Sequence, residues 1–127
     1  MVTVLIRTGN GLNAREHWRT RAKRVKSERN EVWACLRQAS SIKPFDIQLP
    51  VAVKITRLGP SNGLDTDNLA GACKAVRDEI AAWLGVNDND KRVQWHYSQR
   101  RCSTWSIEIE FGKPTAEVVF ETLMNAF

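Results

Sequence analysis

Apolar residues alternate with polar or small residues in several short segments, which is the two-residue period of a half-buried strand. The pattern covers residues 47–55, where Pro50 indicates a sheet edge or a bulge. It recurs over residues 93–97 and again over residues 105–111. We expect a turn at residues 98–103 to join these last two segments as partner strands.

Helical spacing of apolar residues covers three other segments. Residues 22–39 predict a helix that begins basic and ends apolar. Residues 69–84 carry a full apolar stripe and predict the clearest helix, with Gly85 as its stop. Residues 115–127 predict a short terminal helix, and Thr115 is suited to cap it.

The elements together predict one α/β domain of the α+β type, spanning residues 1–127. A β-branched strand at residues 2–7 opens the order β-α-β-α-β-β-α. Neither repeats nor a domain linker interrupt the 127 residues, a length that suits one domain. We therefore expect a mixed sheet with helices packed on it.

Composition indicates an intracellular protein. Apolar runs fall short of the roughly 18 residues that cross a bilayer, and the N-terminus lacks the basic start and cleavage site of a signal peptide. We expect a cytoplasmic location. An odd number of cysteines without C-x-x-C spacing argues against a disulfide framework and a zinc site, and Cys35 and Cys73 occupy apolar helix positions, where a thiol packs as a small core group.

The net charge of +5 favours a polyanionic partner, and the charge is concentrated in one run. Seven Lys or Arg residues lie within residues 15–29, opposed by Glu16 and Glu28. We expect this run to contact DNA phosphates, although a solvated helix face is the alternative. The predicted DNA-binding residues are Arg15, Arg19, Arg21, Lys23, Arg24 and Lys26. Trp18 either stacks on an unpaired base or packs, and His17 is a candidate phosphate contact or general base.

Aspartates mark the start of the striped helix and the turn that follows its end. With Leu69 on the buried stripe, Asp67, Lys74 and Asp78 fall on one line opposite the core. The turn at residues 88–90 follows the far end of that helix, roughly 25 Å away at about 1.5 Å per residue. Asp90 therefore reaches the helix start only if the chain runs back toward it.

This pattern suits Mg²⁺, which takes oxygen ligands, keeps several waters and needs few carboxylates beside a substrate phosphate. A nearby lysine stabilises developing negative charge. The alternative is structural: Asp65 or Thr66 suits a helix N-cap, and Asp88 and Asp90 suit a turn.

Residues 65–95 resemble the core of the RusA-like Holliday junction resolvases, which are frequent in phages and prophages. The shared pattern is an Asp-x-Asp-Asn pair opening a helix, a lysine and an aspartate on it, a terminal glycine and an acidic turn. The matching residues are Asp65, Asp67, Asn68, Lys74, Asp78, Gly85 and Asp90.

The resemblance implies a Mg²⁺-dependent endodeoxyribonuclease, with Mn²⁺ as a possible substitute, acting in DNA recombination and repair. It implies Asp65, Asp67 and Asp90 as metal ligands and catalytic residues, and Lys74 as a catalytic residue in a supporting, positively charged role. It also implies a homodimer that binds four-way junctions and cuts symmetrically related strands. A flap or single-strand nuclease on the same scaffold and a non-catalytic, structure-selective DNA-binding module remain alternatives.

The chain departs from the family pattern at two positions. The members first described carry their lysine where this chain has Gly71, one helical turn before Lys74 on the same face. Leu64 stands where they have an arginine, so one phosphate contact is missing. A looser resemblance covers the segment before the first long helix, through Leu12, Asn13, Arg15, His17 and Trp18.

Overall fold

One mixed sheet organises the computed structural model, which describes residues 1–9, 16–39 and 43–125. The strands are β1 (Val2–Val4), β2 (Val51–Gly59), β3 (Val93–Arg101) and β4 (Ser106–Gly112). The helices are α1 (Trp18–Gln38), α2 (Thr66–Ala72), α3 (Lys74–Leu84) and α4 (Ala116–Asn125), with a 3₁₀ turn at Pro44–Asp46. The predicted α+β class is confirmed.

The sheet has the order β1-β4-β2-β3. β2 pairs with β3 in parallel, from Val51 opposite Val93 to Gly59 opposite Arg101, and β4 is antiparallel to both β1 and β2. The prediction that β3 and β4 are partner strands is wrong, because β2 lies between them. Alternation along a strand tells which face is buried, but it does not tell which strand is the neighbour.

The link from β3 to β4 crosses the end of β2 at Gly59. The predicted turn at residues 98–103 is strand as far as Arg101. Cys102 then donates its backbone N–H to the carbonyl of Gly59 at 3.0 Å. A Cβ at Gly59 would overlap the ring of Trp105, so a glycine is required where the link passes.

β2 begins later and ends later than its alternation predicts. The prediction of a strand over residues 47–55 is wrong at both ends, since β2 runs Val51–Gly59. Pro50, joined to Leu49 by a cis peptide bond, lies just before the strand rather than within it. Proline has no N–H to give to a ladder, which is consistent with this position.

The predicted helix over residues 69–84 is two helices, α2 and α3, that meet at Cys73. Cys73 has φ −92° and ψ 1°, and its N–H is shared between the carbonyls of Leu69 and Ala70 at 3.1 and 3.2 Å. The apolar stripe continues across this junction into the core. Gly85, at φ 78°, ends α3 in the left-handed conformation that the sequence predicts.

The core lies where α1, α2 and α3 meet the sheet. α1 packs on α3 and β1. Burying each Val, Leu or Ile side chain stabilises the fold by roughly 1.5–3 kcal/mol. The buried apolar cluster comprises Val2, Val4, Val32, Leu36, Val51, Val53, Ile55, Leu69, Cys73, Val76, Ile80, Val93, Ile107 and Ile109. Cys73 thus packs as predicted, while Cys35 is only partly buried against this cluster.

α4 lies at the surface. None of its described residues is buried, and Phe120, Leu123 and Met124 are exposed. The backbone N–H of Thr115, just before this helix, donates to the side-chain oxygen of Gln94 at 2.9 Å. Among the described residues, no helix has the length and apolar character needed to cross a membrane.

Candidate metal and DNA-binding site

A cavity of about 330 Å³ lies between α2, the start of α3, β3 and the turn after α3. We call it the acidic cavity and define it by its charged and polar lining residues Asp67, Lys74, Arg77, Asp88 and Tyr97. Asp67 and Lys74 are seven positions apart, so they share one face despite the junction at Cys73. The cavity therefore joins residues from the predicted helix face with one residue of the acidic turn.

Lys74 lies between two carboxylates at the mouth of this cavity. Its Nζ is 3.3 Å from Oδ1 of Asp78 and 3.7 Å from Oδ2 of Asp88. The lysine side chain is 65% exposed, so these ion pairs contribute little to stability and leave the ammonium free to move. Lys74 can therefore turn toward an oxyanion bound beside Asp67 or Asp88.

Arg77 holds the acidic turn in place. Its guanidinium donates two hydrogen bonds to the carbonyl oxygen of Asp88, at 3.2 and 2.5 Å, and one to the hydroxyl of Tyr97 at 2.9 Å. It also lies 4.9 Å from the ring centre of Trp95, whose indole N–H donates to the same Asp88 carbonyl at 3.1 Å. Arg77, Trp95 and Tyr97, which we call the turn clamp, thus fix the backbone that carries the Asp88 carboxylate.

The sequence prediction did not identify Asp88 or the turn clamp as parts of the site. The available signal was the Trp95–Tyr97 alternation, which puts both aromatic side chains on one face of β3. Because Arg77 lies on the helix that precedes the turn, a contact with that face was a possible inference. Arg77 and this face of β3 are about 20 residues apart in the sequence, so local patterns do not indicate that they are in contact.

Asp65 is the N-cap of α2. Its Oδ1 accepts a hydrogen bond from the backbone N–H of Asn68 at 2.9 Å, and the residue is exposed. The structural interpretation of Asp65 is therefore confirmed. Only one carboxylate oxygen of Asp65 accepts this N-cap hydrogen bond, so the other oxygen is available to a ligand, two residues before Asp67.

Asp90 lies apart from the acidic cavity. Its oxygens accept hydrogen bonds from the Arg92 guanidinium at 2.8 and 3.1 Å, and Oδ1 also accepts one from the Arg92 backbone N–H at 2.9 Å. These side-chain and backbone hydrogen bonds lower the pKa of Asp90. The residue lines a different cavity, together with Leu49 and Glu121.

The donor set fits Mg²⁺ in part. Asp67 and Asp88 offer two carboxylates to one open cavity, and Mg²⁺ is commonly held by one or two carboxylates plus substrate phosphate. Within residues 1–9, 16–39 and 43–125, however, no three His, Cys, Asp or Glu side chains form a group that could hold a metal. The structure does not bring Asp65, Asp67 and Asp90 together in the arrangement that the resemblance implies.

The lysines and arginines of residues 19–29 in the basic run lie on α1, and they differ in their contacts. Arg24 turns inward and bonds Glu16 and Glu28 at 2.6 and 3.0 Å. Burial raises the pKa of Glu28, although Arg24 opposes that shift. Arg24 is therefore part of a structural network that ties α1 to Gly9, whose N–H donates to Glu28 at 3.0 Å.

The other predicted DNA-binding residues that the structure describes are exposed. Arg21 lies 3.5 Å from Glu16, and Arg15 is outside the described residues. Arg19, Lys23 and Lys26 are exposed at i, i+4 and i+7 spacing, which forms one cationic face of the helix. DNA phosphates can reach this exposed face of the helix.

The residues at the start of α1 have structural partners. Nδ1 of His17 accepts a hydrogen bond from the Arg19 N–H at 3.2 Å and so caps the helix. The imidazole also stacks on Trp18, with ring centres 5.6 Å apart. Trp18 is 66% exposed, so its outer surface is available to a base.

No known protein-family model matches the chain, and no curated protein matches it either.

Proposed function

We propose that this chain is a metal-dependent nuclease that hydrolyses phosphodiester bonds in DNA with Mg²⁺. The single observation that carries the proposal is the shared cavity of Asp67 and Asp88, with Lys74 at its mouth. Two carboxylates beside an ammonium, in a protein of net charge +5, suit a site that attracts a phosphate and holds a divalent cation against it.

The particular activity that we propose is cleavage of four-way DNA junctions by a cytoplasmic homodimer. This step rests on the resemblance of residues 65–95 to the RusA-like resolvases. A resolvase that cuts two symmetrically related strands needs two copies of its site. Light scattering should then give twice the 14.4 kDa mass of the chain.

In this proposal the chain's own side chains bind the metal ion and neutralise negative charge on the DNA phosphate. Asp67 and Asp88 would hold the cation. Asp65 would add the carboxylate oxygen that does not accept the N-cap hydrogen bond from Asn68. Mg²⁺, when bound, polarises the phosphoryl oxygen and offsets charge on the leaving oxygen. Lys74 leaves its exposed ion pairs and stabilises the negative charge that develops on the phosphate. Asp90 contributes only after its hydrogen bonds with Arg92 break.

A cleavage assay on four-way junction, flap and duplex DNA tests the activity. Asp67→Asn should abolish cutting and leave junction binding intact, whereas Glu110→Gln, an exposed carboxylate on β4, serves as a matched control and should cut normally. Excess EDTA should stop the wild-type reaction. Cutting by Asp67→Asn, or cutting in EDTA, would show that the metal assignment is wrong.

A second experiment decides which acid of the turn binds the metal. Mn²⁺ binding, measured by electron paramagnetic resonance, should weaken at least tenfold in Asp88→Asn, a loss of about 1.4 kcal/mol. Asp90→Asn should bind as the wild type does if Asp90 stays with Arg92. Weakening by Asp90→Asn alone would restore the ligand set that the resemblance implies.

A DNA-binding module without catalysis is the second candidate. The observation that favours it is the lack of a three-donor group among the described residues. Tight junction binding, with no cutting of any of the three DNA forms in Mg²⁺ or Mn²⁺, would establish this function in place of the nuclease.

A further inference from the structure

A second cavity, of about 250 Å³, lies where β2 and β3 end side by side. It has a different chemistry from the acidic cavity, because its charged lining residues are all arginines. We call it the basic cavity. Its polar and charged lining residues are Arg57, Ser61, Asn62, Gln99, Arg100 and Arg101.

The loop after β2 forms one wall of this cavity and is held by Gln99. The Leu64 backbone N–H donates to Oε1 of Gln99 at 2.8 Å, and Nε2 of Gln99 donates to the Leu64 carbonyl at 2.6 Å. Gly63 has φ +96°, a conformation that L side chains rarely adopt, and a Cβ there would press on the Gln99 amide. The backbone that leads into Asp65 is thus built against the basic cavity.

The arginines leave this cavity positively charged. Arg57 is only 4% exposed, and its Nε donates to the Thr8 hydroxyl at 3.1 Å. Burial lowers the Arg57 pKa, but a guanidinium still stays protonated near neutral pH. Arg100 pairs with Glu108 at 3.2 Å, while the side chain of Arg101 is exposed and makes no ion pair or hydrogen bond within the described ranges. The exposed guanidinium of Arg101, beside those of Arg57 and Arg100 in the same cavity, favours an oxyanion ligand.

The two cavities lie along one face of β3. Tyr97, Gln99 and Arg101 alternate on that strand and share a face; Tyr97 lines the acidic cavity, and the other two line the basic cavity. Tyr97 and Arg101 are four positions apart, about 13 Å at roughly 3.3 Å per residue. A DNA strand rises roughly 3.4 Å per nucleotide along the helix axis, so this distance spans at most about four nucleotides.

We propose that the basic cavity binds a backbone phosphate of DNA, within about four nucleotides of the phosphate at the acidic cavity. The position of that phosphate relative to the cut rests on the proposed nuclease function. The binding itself does not, since it needs no metal.

The salt dependence of junction binding tests the proposal. Fluorescence anisotropy in EDTA, where no cutting occurs, gives the slope of log affinity against log salt from about 50 to 200 mM. Arg101→Gln should reduce that slope by about 0.9, the contribution of one phosphate contact, and weaken binding to all sequences alike. Arg37→Gln is the matched control, because Arg37 is an exposed arginine outside the basic cavity that lies 4.8 Å from the Trp33 ring centre.

Each outcome of this test decides the proposal. An unchanged slope in Arg101→Gln, or an equal loss in Arg37→Gln, would overturn the basic cavity as a phosphate site. A reduced slope in a protein that cuts no DNA would keep the cavity and end the nuclease proposal. If the wild type cuts DNA but Arg101→Gln leaves the slope unchanged, the nuclease proposal stands and the phosphate site in the basic cavity is wrong. A wild type that binds no DNA would refute both proposals.

Discussion

Arg77 offers a direct test of whether the acidic turn is positioned by its neighbours. Arg77→Met replaces the apolar stem of the side chain with one of similar length, but it removes the guanidinium with its three hydrogen bonds and its contact with Trp95. The Asp88 carbonyl retains one donor, the Trp95 indole, so it is not left unsatisfied. The loss is therefore that of the interactions themselves, with little added desolvation.

The expected loss can be summed from these contacts. The paired bonds to the Asp88 carbonyl contribute about 1.5 kcal/mol and the bond to Tyr97 about 1 kcal/mol. The guanidinium–indole contact adds about 0.5 kcal/mol. We expect urea denaturation to give a free energy of unfolding about 3 kcal/mol lower for Arg77→Met than for the wild type. Arg77→Lys should lie between these two proteins, because an ammonium can still donate a hydrogen bond.

Two measurements separate positioning from general stability. Arg37→Met loses the stacking on Trp33 but no hydrogen bond within the described part of the chain, so it should lose about 0.5 kcal/mol. If the clamp positions Asp88, kcat for junction cleavage should fall in Arg77→Met at temperatures where it stays folded, while KM changes little and Arg77→Lys restores part of the rate. A loss of stability below about 0.5 kcal/mol, or an unchanged kcat, would refute the reasoning.

Two further predictions concern the fold. Gly59→Ala should destabilise the protein by about 1–3 kcal/mol in urea denaturation, because its Cβ would overlap Trp105, whereas Gly112→Ala, which meets nothing within 4 Å, should not, and equal effects would contradict the crossing over β2. Burial raises the Cys73 pKa from 9.0 to about 12, so the unfolded thiol ionises first and stability falls as pH rises through this window. Between pH 7 and about 10.5 the wild type should lose about 2 kcal/mol more than Cys73→Ala, and parallel losses would show that the thiol is not desolvated.

Local patterns predicted the elements of this fold better than their pairing. The stripe on the central helices, the stop at Gly85 and the cap at Asp65 all depend on neighbours within a few residues. The position of β4 depends instead on Gly59 and Trp105, which meet only because the β3–β4 link crosses the end of β2. Nothing in the alternation of either strand records that crossing.

The helix junction shows the same limit on a smaller scale. The apolar stripe is continuous through Cys73, so its period predicts one helix. The backbone nevertheless changes conformation at Cys73, where one N–H serves two carbonyls. The same helix face nevertheless continues from α2 into α3, so Asp67 and Lys74 line one cavity. The prediction that these two residues share a face is therefore unaffected by the junction.

The structure separates Asp88 from Asp90, the aspartate of the acidic turn that the resemblance implies as a metal ligand. The two aspartates stand two positions apart in one turn, and each is governed by a different arginine: Arg77 binds the backbone of Asp88, while Arg92 binds the carboxylate of Asp90. The first contact leaves a carboxylate available beside Lys74, and the second occupies one. Bringing Asp90 to the metal therefore costs its hydrogen bonds with Arg92, whereas Asp88 gives up only a longer, exposed contact of 3.7 Å with Lys74. For that reason the geometry favours Asp88 as the partner of Asp67, with Asp90 as the ligand that must be released.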